Sequence, residues 1–254
     1  MSEVVHFLLT RPWGAILPWL VALNVGIFIG VVGLGGLLVR VCAHRKVASP
    51  PPLDRFEIGM SVVTVALNTL VSVVGLALIR AGIIRVRDDW GWWSVADALV
   101  LFFAMDLLMY LLHRVAHVPW IYPLLHKLHH KYDRPRPIDL VVLSPQENIA
   151  FGTLWLVLLW IYPSSWLGMS IYLGLNTLFG GVGHLGVEPL PDAWVRLPGL
   201  RWIATSTFHA QHHGSAPHNL GFYTVFWDKL FGTLSPDYER SFGRELPAAR
   251  VIPD

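Results

Sequence analysis

Eight of the twelve histidines in this 254-residue chain fall into three tight groups. Two of them share one stretch, HRVAHVPWIYPLLHKLHH, which runs from His113 to His130. His113 and His117 are four residues apart, so on a helix they lie on one face. His126, His129 and His130 follow at i+3 and i+4, and FHAQHH repeats that spacing at His209, His212 and His213. Imidazole is the commonest metal-ligating side chain, and such spacings let several ring nitrogens converge on an ion. Eight imidazoles exceed what one four-coordinate ion uses, so the pattern predicts two metals. Solvated histidine tracts belong to polar tails; these groups stand beside the most apolar parts of the chain. His6 and His44 stand alone and read as ordinary polar residues.

Such a site has to be carried by a membrane scaffold. The chain is 54% hydrophobic and 14% charged, against about 25% charged in soluble domains. A net charge of +2 with no basic tract argues against nucleic acid. Cys42 is the only cysteine, which excludes an internal disulfide, a cysteine-ligated zinc site and an iron–sulfur cluster held by this chain alone.

In chain order, residues 1–15 read as an interfacial lead-in, and Ile16–Val39 as a first span long enough for about 30 Å of hydrocarbon. Within it, GVVGLGG suggests close helix packing, with Gly26 and Gly30 as a GxxxG pair. The proline loop Ala48–Asp54 leads to a second span, Ile58–Ile79, and a third, Val95–Leu112, runs straight into His113. Asp97 and Asp106 are expensive in lipid and are expected to face the protein interior. Asp106, Tyr110, His113 and His117 share one helical face, which makes Asp106 and Tyr110 candidates for the wall of the metal site or a buried structural pair. Ile149–Tyr162 and Leu167–Val182 form an apolar hairpin, broken at Pro163–Ser165, that dips into the bilayer or just crosses it. His184 follows it, among glycines that let the backbone approach a crowded site.

The expected fold is all-α: three to four transmembrane helices, a membrane-dipping hairpin and a cytoplasmic helical cap that carries the histidines. It forms one membrane-embedded domain, with residues 1–94 supplying the N-terminal helices, 95–235 the catalytic region and 236–254 a tail. With residues 1–15 outside, segments 40–57, 113–147 and 183–254 lie inside and hold four, five and six Lys or Arg. Segments 1–15 and 80–92 hold one and three, so the positive-inside rule puts every histidine group on the cytoplasmic face.

The chain resembles the fatty acid hydroxylase / sterol desaturase superfamily of membrane di-iron enzymes. The resemblance rests on the ordered boxes HX3H, HX2HH and HX2HH at His113–His117, His126–His130 and His209–His213. It extends to His113–Arg114, to Pro145–Glu147 and to the closing WDKLFGT, Trp227–Thr233. The family's NYG stands here as Asn219–Leu220–Gly221. The resemblance implies that the eight boxed histidines and His184 hold two iron ions, with zinc possible after purification because imidazole sites accept it readily. Where some members have a further histidine the chain has Gly180, and His218 could substitute. It also implies O2 as co-substrate and hydroxylation of a C–H bond in a membrane lipid, either an acyl chain or a headgroup. Sterol desaturation or sterol methyl oxidation is the close alternative. A zinc hydrolase and a non-enzymatic membrane metal-binding or transport protein are more distant ones.

Glu147, Asp106 and Asp228 are the carboxylates expected to accept hydrogen bonds from the outer ring nitrogens, and Asn219 lies toward the substrate end. The chain has no dinucleotide fingerprint after a strand, so electrons must come from an external donor, a cytochrome b5-like or ferredoxin-type protein. That donor is expected on the basic face at Lys127, Lys131, Arg134 and Arg136. The expected location is a bacterial inner membrane or the endoplasmic reticulum.

Overall fold

A computed structural model describes residues 3–215 and 217–247. Residues 1–2 of the expected lead-in and 248–254 of the expected tail lie outside the described residues. The regular elements among the described residues are all helical, and extended pairing is confined to isolated bridges such as Lys46 with Val187. The order is α1 (Glu3–Thr10), α2 (Trp13–Val41), α3 (Arg55–Arg80), α4 (Trp92–Ala116), α5 (Tyr122–Leu125), α6 (Pro145–Ile161), α7 (Trp166–Gly183), α8 (Ser206–Gly214), α9 (Phe226–Phe231) and α10 (Tyr238–Ser241).

Helices α2, α3 and α4 have 29, 26 and 25 residues and are apolar enough to cross a bilayer. At 1.5 Å per residue they exceed about 30 Å of hydrocarbon, so this is a membrane protein. Each outruns the apolar run read from the sequence, and for α3 the reason is a capped start. Asp54 accepts from the Glu57 amide at 2.7 Å while the Glu57 carboxylate accepts from the Asp54 amide, a capping box that starts α3 ahead of Ile58. Helix α6 opens on a Ser144 cap followed by Pro145, and α7 on a Ser165 cap.

Helices α6 and α7 are the expected hairpin, and α7 packs most extensively on α4. Asp97 fastens the hairpin tip. Its carboxylate, 2% exposed by residue, accepts from Arg87, from the Ser165 amide and from the Tyr162 hydroxyl, each at 2.8 Å. The expectation that Asp97 faces inward is met, and the reason is this ring of donors. Between α4, α6 and α7 lies a core of Leu101, Met105, Met109, Leu158, Met169, Tyr172 and Tyr223. In a membrane such packing is driven by close fit rather than by escape from water.

Two local expectations fail. A Cβ at Gly26 or Gly30 would meet nothing within 4 Å, so the GxxxG pair brings no helix close within this chain. Helix α2 makes its close approach at Gly35, where a Cβ would stand 2.7 Å from the Pro137 ring. The second histidine group also lacks a regular helix. Helix α5 ends at Leu125, a turn follows, and a 3-10 turn covers His129–Lys131.

Candidate metal centre

That irregular backbone has a consequence: the histidines of one box do not stay together. His113, His117, His126, His130 and His212 offer one ring nitrogen each into a first group, and His129, His184, His209 and His213 into a second. Within each group these nitrogens lie within 4.8 Å of one another. The second box sends His126 and His130 one way and His129 the other, and on α8 His212 faces away from His209 and His213. The structure thus brings together all nine histidines expected from the sequence, as five and four.

The outer nitrogens fix the tautomers. Nδ1 of His113 donates to the Leu220 carbonyl at 2.8 Å, that of His212 to the His218 carbonyl at 2.8 Å, and that of His184 to the Gly180 carbonyl at 2.9 Å. His126 Nδ1 meets the Glu147 carboxylate at 2.5 Å. With the proton held on Nδ1, Nε2 presents a bare lone pair. Yet Nε2 of His113 is 2.8 Å from Nε2 of His126. His212 Nε2 is 2.9 Å from that of His130 and 3.2 Å from that of His117. In the second group, His209 Nε2 lies 3.1 Å from both His184 and His213, and His184 is 3.4 Å from His129. Where both Nδ1 nitrogens have outer partners, as on His113 and His126, the facing Nε2 lone pairs repel unless a positive centre lies between them. Metal–imidazole bonds of about 2.0–2.1 Å give ligand–ligand edges of roughly 3.0–3.4 Å, so the residues fit a metal in each group.

Burial keeps the rings neutral, the form that ligates. It lowers His117 and His184 to about 4 and His130 to about 3, and it drives His126, His129, His209, His212 and His213 well down. In the metal-free protein these rings stay neutral when folded and take protons when unfolded, near the ordinary pKa of about 6.5. Stability is therefore full above about 6.5 and is lost as pH falls toward 4 and 3. The thermal midpoint of metal-free protein is expected to drop steeply between pH 7 and pH 5; a flat profile would contradict this burial.

Of the carboxylates expected at the outer nitrogens, only Glu147 is there. Asp106 instead accepts from the Tyr223 and Thr224 amides at 2.9 and 3.2 Å, and from the Thr224 hydroxyl and Trp227 Nε1. Asp228 accepts from the Leu220 and Gly221 amides at 2.7 and 2.8 Å and from Thr233 Oγ1. Both carboxylates were drawn inward by unpaired backbone N–H groups of segment 220–224, not by imidazole. Tyr110 is displaced too: its hydroxyl pairs with Thr233 at 3.0 Å and its ring stacks on Phe231. Asn219 holds a left-handed φ of 56°, donates to the Phe208 carbonyl and to Gln211, and accepts from the Ser235 amide. It ties α8 to the tail. The His218 ring lies outside both groups, against Ser215 Oγ. Arg136 is withdrawn from the expected basic face, because its guanidinium meets the fully buried Glu57 at 3.1 Å.

The carbonyls of Gly180, His218 and Leu220 were missed from sequence, since every residue has a carbonyl and no side chain marks the ones that orient a ring. The aspartates that shape segment 220–224 were visible, but their targets were not. Glu147→Gln keeps the length of the side chain and loses the charge against His126. It is expected to weaken metal binding by about 10–100-fold with little change in thermal stability. Metal titration of the purified variant checks this.

A cavity of about 790 Å³ runs from the histidines between α2, α3, α6 and α7. His113, His126, His129, His184 and His209 line it, and Leu23, Ile27, Leu76, Leu156 and Leu173 are among the apolar side chains along it.

Comparison with known proteins agrees with this geometry. Residues 98–233 match the fatty acid hydroxylase family model. A cholesterol 25-hydroxylase-like protein of Danio rerio is 31% identical over 156 residues, 60% of this chain and 58% of that one. The lathosterol oxidase of Mus musculus is 27% identical over 147 residues, covering 57% and 47%. The Delta(7)-sterol 5(6)-desaturase of Leptosphaeria maculans is 27% identical over 141 residues, covering 56% and 37%. The chain thus spans roughly half the length of these relatives. No solved structure is significantly similar to it. With the boxes, the nine converging imidazoles and a match over more than half its length, this chain belongs to the fatty acid hydroxylase family.

Proposed function

We propose that this protein is an O2-dependent di-iron oxidoreductase that hydroxylates a C–H bond of a membrane lipid. The observation that carries the reading is the position of the two imidazole groups on the wall of an apolar cavity inside a membrane helix bundle. Iron bound by the five and four histidines would supply the dioxygen reduction that attack on an unactivated C–H bond requires. The chain's own part is to hold Nε2 of four rings free of protons, to bury the site from water and to lay a hydrocarbon against it. Glu147 keeps the His126 proton on Nδ1, and the Leu220, His218 and Gly180 carbonyls do the same for His113, His212 and His184.

Lipid mass spectrometry of cells with and without the gene tests the reading. A product 16 mass units heavier than its precursor supports hydroxylation. A loss of 2 supports the second reading, desaturation of a sterol, which the sterol desaturase and lathosterol oxidase relatives favour. No oxidised product under aerobic conditions would overturn both.

Electrons come from a separate cytochrome b5-like or ferredoxin-type donor at the cytoplasmic face. Lys127 and Lys131, both exposed, lie beside the second histidine box there. A reporter fused after residue 254 is expected to read cytoplasmic. A reading from the opposite side would remove the histidines from any cytosolic donor.

A further inference from the structure

We propose that Asn68 and Asn148 form a hydroxyl-binding subsite in the cavity wall, so that the lipid held there is neutral and carries a hydroxyl group gripped at the metal end. This rests on the reading of the cavity as the lipid site. Asn68 sits mid-way along transmembrane α3 and is exposed, which is costly if it faces lipid. It does not face lipid. Apart from Ile58 near the helix start, the exposed large apolar residues of α3 are Phe56, Val62, Val63, Leu70 and Val74. At 100° per residue they lie about 120–240° around the helix from Asn68, on the opposite side. Asn68 lines the cavity, and so does Asn148 on α6.

The two amides are joined, Asn148 Nδ2 donating to Asn68 Oδ1 at 2.9 Å. That bond leaves Asn148 Oδ1 buried without a partner, and Asn68 Nδ2 makes no hydrogen bond among the described residues. One spare acceptor and one spare donor on adjacent amides match a hydroxyl, which both gives and takes a hydrogen bond. Thr64, one turn from Asn68 on the same side, adds a buried hydroxyl with no partner. Charge decides against an acid. Of the lining residues none is Lys or Arg, and the one carboxylate, Glu147, already meets His126. A carboxylate or phosphate held on the two amides would therefore meet no cationic side chain. Asn148 directly follows Glu147, which places the subsite at the histidine end of the cavity and not at the far end beside Trp19 and Trp166.

The test is binding without turnover. Detergent-solubilised, metal-loaded protein is offered hexadecane, 1-hexadecanol, 1-methoxyhexadecane and palmitate, and the amount of each that co-purifies is measured. Hexadecanol is expected to bind roughly ten-fold tighter than hexadecane, with the methyl ether between them and palmitate weakest. Asn68→Leu and Asn148→Leu should bring hexadecanol and hexadecane to parity while metal content is unchanged. Equal binding of alkane and alcohol by the unaltered protein, a preference for palmitate, or binding of none of the four would overturn the proposal. The unaltered protein decides this by itself if either variant fails to fold. Protein that prefers the alcohol yet oxidises no lipid would keep this proposal and defeat the proposed activity; active protein without the preference does the reverse.

Discussion

His212→Ala is expected to cut turnover by at least roughly 100-fold and to weaken metal binding in one of the two groups. His212 is the ring that crosses between boxes. It comes from the third box on α8, yet its Nε2 stands 2.9 Å from His130 and 3.2 Å from His117, inside the group that the first two boxes dominate. Its removal leaves four histidines in that group and all four in the other. Loss of a partner that merely orients a ligand costs about 10–100-fold, so loss of a ligand should lower activity by at least roughly 100-fold. His218→Ala is the matched control. Its ring touches Ser215 and lies outside both groups, while the carbonyl that orients His212 is backbone and survives the change. His218→Ala should retain both metals and most activity. Metal titration of the two variants side by side decides it, and equal metal affinity in both would refute a place for His212 among the ligands.

How far the sequence carries can be judged from particular residues. The spans were legible because lipid leaves one solution for a long apolar run, and capping chemistry explains why α3 starts at Arg55 and not at Ile58. The histidines were legible as a set. Their division was not, because helical periodicity assigned His126, His129 and His130 to one face, whereas the backbone turns between them and sends His129 to the other group. Asp106 and Tyr110 share a helical face with His113 but not its environment. They lie lower on α4, where segment 223–233 comes alongside and takes their hydrogen bonds. That approach is a tertiary event between residues more than a hundred positions apart, and no spacing reports it. The same holds for Asn68 and Asn148, eighty residues apart in sequence and joined across the cavity.

The second large effect concerns stability. Asp228→Ala is expected to destabilise the protein by about 3–5 kcal/mol, which is exceptional for one substitution. The fully buried carboxylate holds the Leu220 and Gly221 amides and the Thr233 hydroxyl. Removing it leaves the Leu220 and Gly221 amides buried and unpaired, at about 1–3 kcal/mol each before any relaxation. Gly221 leaves no room for a side-chain substitute, since a Cβ there would lie 2.5 Å from the Thr224 carbonyl and 2.7 Å from the aspartate itself. The loss then reaches the metal centre through one bond. Leu220, whose amide Asp228 holds, is the residue whose carbonyl keeps the His113 proton on Nδ1. A lower thermal midpoint in detergent should therefore be accompanied by weaker metal binding. Asp228→Asn keeps one acceptor oxygen and should fall between the two. If Asp228→Ala lowered the thermal midpoint but bound metal as tightly as the unaltered protein, the link from segment 220–221 to His113 would be wrong.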